Sequence, residues 1–507
     1  MKPAIFIALI LSSNIILAED SSSSGEHRIQ ELEARIEALE KQPTQKKRQE
    51  PLTHEGLEAL VDSFGNTTES RSQANRRYAD RVEQVLQDFI EIDGYFRAGY
   101  GHSNEGGNQV GFKAPGAMAK YRLGNEAENF GELIFGKNFF MPGAFNVDDE
   151  LKPKGSASGP IAHVQFRLEF FNPYDEFSSS SETNVGLPEA WASIGNVLTA
   201  MPEAKFWAGN RFYRRHDIGL NDFFFWNMSG GGAGIEDVSF AGGKFAAAWI
   251  GTGSTSGFTD LPQPDPENKA GFSKTNIDLR WYAVPLLGGE MELGLIYSQT
   301  ESGLDSEGNR AQDTDGYAIN VIHTIDEFIS QDGANKFSIQ YGTQAAKTFT
   351  SGFETINING GSFIQPDLDG SWRFRITENF SANINEHFSI GPVLIYQTTE
   401  YGGGFGKQSW YSAGVRPIYH FNERMSIAFE GGWDKVEQDY TDSSGSLYKL
   451  TIAPQISLGG SFNSRPVIRA FVTWASWSDD FIGEVGGIDY ASKSEGITGG
   501  VQMEAWW

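Results

Sequence analysis

The sequence predicts an all-β transmembrane protein, a closed antiparallel barrel with a short α-helical coiled-coil extension at its N-terminus. Three observations predict it. A secretory leader opens the chain and no later window is apolar enough for a membrane helix; a period-two alternation runs from about Ile92 to Trp507; and a mean hydropathy of −0.38 accompanies 13% aromatic residues. A soluble domain this polar would carry fewer rings, and a helical membrane protein would be far more apolar. Alternation reconciles the two, because the apolar half of each strand cancels in the average.

In chain order, residues 1–18 read as a signal peptide: Lys2, an apolar run from Ala4 to Leu17, and Ala18 before Glu19-Asp20. The run is short and interrupted by Ser12-Ser13-Asn14, and nothing after it supplies the ~18 apolar residues that a spanning helix needs. An exported chain without such a helix can enter lipid only as a closed barrel, because only helices and barrels satisfy their own backbone groups there. Residues 19–42 hold two heptads, with Ile29 and Ile36 at a, Leu32 and Leu39 at d, and Arg28, Arg35, Glu33 and Glu40 at the flanking g and e positions. Two heptads are too short to hold an isolated coil, so something else must bring the chains together. Residues 43–91 read as a linker from Pro43 through Lys46-Lys47-Arg48 and an amphipathic helix bearing Tyr78, Val82, Val85, Leu86 and Phe89.

Residues 92–507 form the barrel. Val164, Phe166, Leu168 and Phe170 alternate with His163, Gln165, Arg167 and Glu169; Trp372, Phe374 and Ile376 alternate with Arg373, Arg375 and Thr377; Tyr448, Leu450 and Ile452 alternate with Lys449, Thr451 and Ala453. A β-sandwich would alternate too. The unbroken length, the aromatics near strand ends (Trp281-Tyr282, Trp433, Trp474) and a terminal strand ending on Trp506-Trp507 favour apolar faces turned to lipid and polar faces turned to an aqueous lumen. At roughly 21–25 residues per strand with its connections, about 16–20 strands fit, and barrels of that size leave an aqueous channel.

Composition excludes other classes. Sixty-six acidic against 40 basic residues, a formal net charge of −26, argue against nucleic-acid binding. The absence of Cys removes disulfide scaffolds, zinc fingers, iron–sulfur clusters and thiol nucleophiles. No motif marks a Ser–His–acid triad, the eight His form no ligand-spaced pair, and no enzyme activity is expected. Gly402–Lys407 lacks the first Gly and the Ser/Thr of a phosphate loop and reads as a hairpin loop. No cofactor is expected. Asp305, Glu307, Asn309, Asp313 and Asp315 offer oxygen ligands for weak Ca²⁺ binding in a loop, but without the EF-hand Gly and terminal Glu they read as a solvated acidic segment.

Trp207–Asp217, Asn221–Trp226, Gly232–Glu236, Gly94–Arg97, Lys120–Glu126, Ser464–Arg469 and Gln502–Trp507 together resemble the maltoporin family of sugar-specific outer-membrane porins, in matching order along the whole of 92–507. The coiled-coil extension resembles the sucrose-porin branch. The resemblance implies a barrel of 18 strands, a homotrimer in the bacterial outer membrane with its N-terminal extension in the periplasm, and passive passage of di- and oligosaccharides. It also implies a row of sugar-stacking aromatics, matched here by Tyr95, Phe130, Trp410 and Trp506. An opposing charged, hydrogen-bonding track matches Arg97, Arg122, Glu132, Arg215 and Asp222. Phe224 stands where the family has a constriction tyrosine, Asn227 near an acidic position, Pro188 at a track arginine and Ile319 at another aromatic. Tyr174 or Phe177 would be the plate lent to a neighbouring subunit. Fewer hydroxyl-directed groups at the constriction imply a broader range of sugars than maltodextrins. The chemistry is coherent, since aromatic plates suit the C–H faces of sugars and ionised groups exchange hydrogen bonds with their hydroxyls. The alternative is a general or weakly ion-selective diffusion porin without a sugar site.

Overall fold

The computed structural model describes residues 90–140, 159–173, 184–254, 272–301, 313–358, 361–364 and 369–507. The leader, the coiled-coil segment 19–42, the helix expected before Glu91, the loop residues Asp305, Glu307 and Asn309, and both Tyr174 and Phe177 lie outside them. The strands in chain order begin with β1 (Ile90–Ser103), β2 (Glu128–Phe140), β3 (Ile161–Pro173), β4 (Asn184–Gly195) and β5 (Lys205–Arg211). There follow the small hairpin β6 (His216–Ile218) and β7 (Phe223–Trp226), then β8 (Gly230–Phe240), β9 (Gly243–Ser254), β10 (Phe272–Leu286), β11 (Gly289–Thr300), β12 (Thr314–Asp326) and β13 (Ala334–Thr343). A second small hairpin, β14 (Thr355–Ile358) and β15 (Gly361–Ile364), precedes β16 (Trp372–Asn385), β17 (Phe388–Glu400), β18 (Lys407–His420), β19 (Met425–Gln438), β20 (Ser443–Ser457), β21 (Val467–Trp477) and β22 (Glu495–Trp506).

Leaving out the two small hairpins, the strands form one 18-stranded antiparallel sheet. It closes where β22 pairs with β1, from Tyr95↔Trp506 to Ser103↔Thr498. Closure leaves no sheet edge, and every strand finds backbone partners on both sides, as crossing lipid requires. The first strand starts at Ile90, two residues before the boundary that alternation indicates.

Side chains sort as in an inverted soluble protein. Tyr100, Trp249, Tyr317, Leu394, Tyr448, Leu450 and Ile468 are exposed on the outer wall, while Arg280, Arg373, Arg375, Lys449, Asn276 and Asn320 are buried inside. The β18 positions Trp410, Ser412 and Arg416 point inward, and in β12 Ala318, Asn320 and Ile322 do. Two expectations fail on this parity. Ile319, taken as a position in the aromatic row, is on the outer face at 43% exposure. Tyr282, taken as a girdle residue, turns inward on the same face of β10 as Asn276, Asp278 and Arg280 and donates its hydroxyl to Asp237. Both follow the unbroken period of their own strands, Ile319 on the outer face with Tyr317 and Tyr282 on the inner face with Asp278 and Arg280.

The two ends differ. Turns Ala241-Gly242 and Leu287-Gly288 have positive φ at both positions (45° and 79°, 48° and 78°), the twist-matched hairpin turn. These turns, Glu386-His387 and Phe421–Arg424 share one end with the start of β1 and the end of β22, whereas connections 104–127, 212–229, 344–371 and 478–494 lie at the other. In barrels of this kind short turns are periplasmic and long loops extracellular.

Three of the long connections fold into the barrel, which the expectation of an open aqueous channel did not include. Connection 104–127 folds inward onto β19 and β20, beyond β22 and β21 along the wall, where Leu123 donates its amide to Glu430 (3.0 Å) and its carbonyl accepts from Lys449 Nζ (2.7 Å). Connection 212–229 presents the Phe225 carbonyl to Arg375 Nη1 (2.8 Å) and Gln340 Nε2 (3.1 Å). Connection 344–371 bridges to it at Asn227↔Thr350, and its Thr350 and Gly352 carbonyls accept from Lys274 Nζ. Many inward cations of the wall are thus anchors for loop backbone, whose buried carbonyls must be paired. Glycines supply the seats. The Tyr121 ring lies on the cross-strand pair Gly414 and Gly432, where an added Cβ would stand 2.1 Å from ring carbon on either strand, and its hydroxyl meets Ser412 Oγ at 2.9 Å.

Gly432→Val should therefore unseat Tyr121 and connection 104–127. Overpacking of this kind costs about 1–3 kcal/mol, too little to open a closed barrel. The variant should remain folded by heat-modifiable gel mobility and show a larger single-channel ion conductance; unchanged conductance would mean that Tyr121 does not hold the loop across the lumen.

Candidate functional site

Closure of the barrel builds the first part of the site, because it sets β22, β1 and β2 side by side. Tyr95 pairs with Trp506 on one side and Glu132 on the other, and Arg97 pairs with Phe130. Paired residues share a face, so Trp506, Tyr95 and Phe130 line up across three strands inside the lumen. Their ring centroids step by 6.3 Å (Trp506 to Tyr95, 19° between planes) and 6.0 Å (Tyr95 to Phe130, 55°). Next to Trp506 along the chain, Trp507 lies outside against Phe96, at 5.8 Å and 14°.

Charged groups flank the row. Tyr95 Oη donates to Glu504 Oε1 (3.1 Å) and accepts from Arg122 Nη2 (2.7 Å) and Arg97 Nη1 (3.3 Å). Arg97 also pairs with Glu126 (3.2 Å) and Glu128, and its guanidinium lies 5.0 Å from the centre of the Phe130 ring. Arg122, on connection 104–127, bonds Glu126 Oε1 (2.7 Å) and Glu504 (3.3 Å). Burial opposes its charge, but Glu126 and Glu504 outweigh burial and hold its pKa well above the ordinary guanidinium value.

A second group adjoins the first through Glu132, which accepts from Arg167 Nη1 at 2.7 Å; Arg167 Nε also donates to Glu189 (2.5 Å). The Arg167 guanidinium lies 4.8 Å from the Phe212 ring centre. Arg215 sits between two rings, 3.8 Å from Phe212 and 4.6 Å from Phe224. Burial, with Arg167 close by, lowers the pKa of Arg215. Asp222 stands exposed at the tip of the β6–β7 hairpin with φ +56°, a left-handed conformation that Asp tolerates, and acts on Arg122 by charge alone among the described residues.

Of the ten residues singled out from sequence, then, Tyr95, Phe130, Trp506, Arg97, Arg122 and Glu132 converge on one stretch of wall, and Arg215 and Phe224 form the adjoining group. Trp410 departs from its expected role. It points inward but has 0% exposure, with the edge of Phe223 at 5.3 Å and 84° on its ring and its Nε1 donating to Asp434 Oδ1 (2.9 Å). The folded-in hairpin covers it, so it offers no free face. Sequence reasoning missed Glu126, Glu128, Arg167, Glu189 and Phe212. The alternation on β3 does put Arg167 on the polar face, but Phe212 lies in an irregular connection where no period tells which way it points.

His216 pairs with Glu292 (3.2 Å) and stacks on Trp226 at 5.5 Å, a structural placement. No group of three or more potential metal-binding His, Asp or Glu residues occurs among the described residues.

Among solved structures, the chain is similar to the outer membrane protein opdK from Pseudomonas aeruginosa, with 11% identity, TM-score 0.40, and coverage of 83% of this chain and 99% of that one. It is also similar to the anion-selective porin from Comamonas acidovorans, with 10% identity, TM-score 0.37, and coverage of 83% and 99%. A Salmonella typhi OmpF complex with daunomycin matches at 8% identity and TM-score 0.40, covering 82% and 97%. The sequence profile described as LamB porin matches residues 90–507, the whole of the barrel just described. The chain therefore belongs to the LamB porin family and is a channel of the bacterial outer membrane, not an enzyme.

Proposed function

We propose that this porin is sugar-selective, giving facilitated diffusion of di- and oligosaccharides as a homotrimer. The observation that carries the reading is the contiguous ring row Trp506–Tyr95–Phe130 with ionised partners on its flank. A sugar ring laid on Trp506 can pass to Tyr95 and Phe130 in steps of about one ring, keeping its C–H face on an aromatic plate. Its hydroxyls meanwhile find Arg97, Arg122, Glu128 and Glu504 as donors and acceptors. Beyond Phe130, the Glu132–Arg167 pair leads to the Phe212–Arg215–Phe224 stack. Several modest sites in series suit conduction better than one tight site. At the constriction, Phe224 offers a ring without a hydroxyl, which favours a range of sugars over maltodextrins alone.

Trp506→Ala should weaken block of ion current by neutral oligosaccharides about two- to tenfold, as loss of about 0.5–1.5 kcal/mol of ring contact would, with ion conductance little changed. Equal block in variant and parent would remove the sugar site and leave a general porin. Trp410→Ala should behave differently, altering ion conductance by loosening the hairpin above it while the half-blocking sugar concentration changes less than in Trp506→Ala.

The trimer and the export leader belong to this proposal, as does a periplasmic coil in residues 19–42 that supports, rather than creates, the assembly. Removal of residues 19–89, up to the start of β1, behind an intact leader should leave conducting trimers on native gels. Monomers would reverse the order of cause.

A further inference from the structure

The periplasmic half of the lumen contains a cavity of about 360 Å³, bounded by the ends of β16–β18 on one side and by β21, β22 and connection 458–466 on the other. Its charge is opposite to that of the chain. Among the described residues, Arg122, Arg416, Arg465 and Arg469 line it against two carboxylates, Glu126 and Glu504. Both carboxylates are already shared. Glu504 takes Arg465 (2.8 Å), Arg469 (3.0 Å), Arg122 (3.3 Å) and the Tyr95 hydroxyl, and Glu126 takes Arg122 and Arg97. Behind the lining, Glu430 divides itself between Arg416 (2.5 Å) and Lys449 (2.7 Å). In a protein of net charge −26, this cluster is short of anions.

Two further observations agree. Arg469, only 4% exposed, leaves its Nε without a hydrogen-bond partner among the described residues, an uncommon state for a buried donor. Arg465, on the connection at the barrel's end, has its guanidinium drawn down to about 10 by burial together with Arg469 and Arg416, against the pull of Glu504. The cavity also holds ring surface. Trp506, at 39% exposure, and Phe462 line it, and the Arg465 guanidinium lies over the Trp506 ring at 4.1 Å. A ring stacked at Trp506 would thus sit beside a cation whose carboxylate among the described residues is Glu504, shared with two other arginines.

We propose that this cavity is a binding site for a saccharide that carries an anionic substituent, a carboxylate or a phosphate, with the sugar ring at Trp506 and the anion among Arg465, Arg469 and Arg416. The proposal rests on the sugar-conducting reading and narrows its substrate class. Guanidinium forks bind both groups through paired N–H donors, and a lined, low-dielectric cleft focuses their field. Glu126 and Glu504 limit the affinity by repulsion and keep the site exchangeable.

The test is current block of the full-length porin in planar bilayers by glucose, glucuronate, glucose 6-phosphate and inorganic phosphate, in 0.1 M and 1 M KCl. Glucuronate and glucose 6-phosphate should half-block at about tenfold lower concentration than glucose at the lower salt, converging toward it at the higher salt as screening shortens the field. A gain for only one of the two sugars would assign the site to that anion. Glucose blocking as well as both would overturn the anionic site while leaving the sugar channel intact. Absence of block by all three sugars would overturn the sugar reading itself, and inorganic phosphate matching glucose 6-phosphate would overturn a site for sugars in favour of one for bare anions. Arg465→Gln with Arg469→Gln should lower the ratio of anionic to neutral affinity several-fold, and Arg465→Lys with Arg469→Lys, which keeps the charge, should retain most of it. A ratio unmoved in the Gln variant would place the anion elsewhere. The wild-type comparison stands even if a variant fails to assemble.

Discussion

Everything inside this protein depends on the pairing of its last strand with its first. Lipid cannot hydrogen-bond to a backbone, so a sheet that crosses it must have no edge. Closing β22 on β1 meets that demand and also builds the ring row, because Trp506 and Tyr95 are register partners across the seam. A shift of one residue would turn every side chain of β22 to the other face. Trp506 would then face lipid and Trp507 the lumen. The same register holds the barrel shut and the site together, which explains why the site residues come from both ends of the barrel sequence.

Closure creates a second problem. A sheet of this circumference encloses more space than its wall side chains fill, and the chain fills part of it with connections 104–127 and 212–229 and with residues 344–354. Loop backbone taken out of water needs partners, and a lining rich in Arg, Lys and Gln provides donors to loop carbonyls. Arg375 and Gln340 serve Phe225, Lys449 serves Leu123, and Lys274 serves Thr350 and Gly352. Glycines on the wall then admit the aromatic rings of the loops, as Gly294 admits Trp226 and Gly414 with Gly432 admit Tyr121. Inward charge has two uses here, positioning loops and facing the lumen, and a residue's burial and partners tell which.

That division marks the limit of what sequence could reveal. Alternation identified the barrel, its lipid face and the inward side of Arg373, Arg375 and Lys449, because a strand's period is fixed by covalent geometry. That Trp506 and Tyr95 belong to one row was legible only through family resemblance, since the paired strands lie about 400 residues apart. Trp410 shows what remained hidden. Period two does put it on the inward face of β18 with Ser412, yet parity says only that a side chain points inward, not whether a loop has folded over it. Ile319 shows the reverse, since the resemblance put it in the lumen while the period of its own strand, with Ala318 and Asn320 buried, turns it to lipid. Phe212, Glu126 and Glu128 escaped because they sit in or beside connections, where no period applies.

The groups around the ring row do not wait unpaired for a ligand. Tyr95, Arg122, Arg97 and Glu504 already bond one another, and Arg465 already covers Trp506. On the proposed sugar-conducting reading, this fixes the strength of binding. A hydrogen bond to a charged group contributes about 1.5–3 kcal/mol net, so two such bonds made without loss would slow release by roughly two to four powers of ten. A sugar arriving here must instead displace partners that the arginines and carboxylates already have, and each displaced bond re-forms as the sugar moves on. The gain per step is therefore a difference between two similar terms, small enough for passage. Where the network runs short of carboxylates, beside Arg465 and Arg469, that balance fails in one direction only: a ligand bringing negative charge gains more than it displaces, and a neutral one does not.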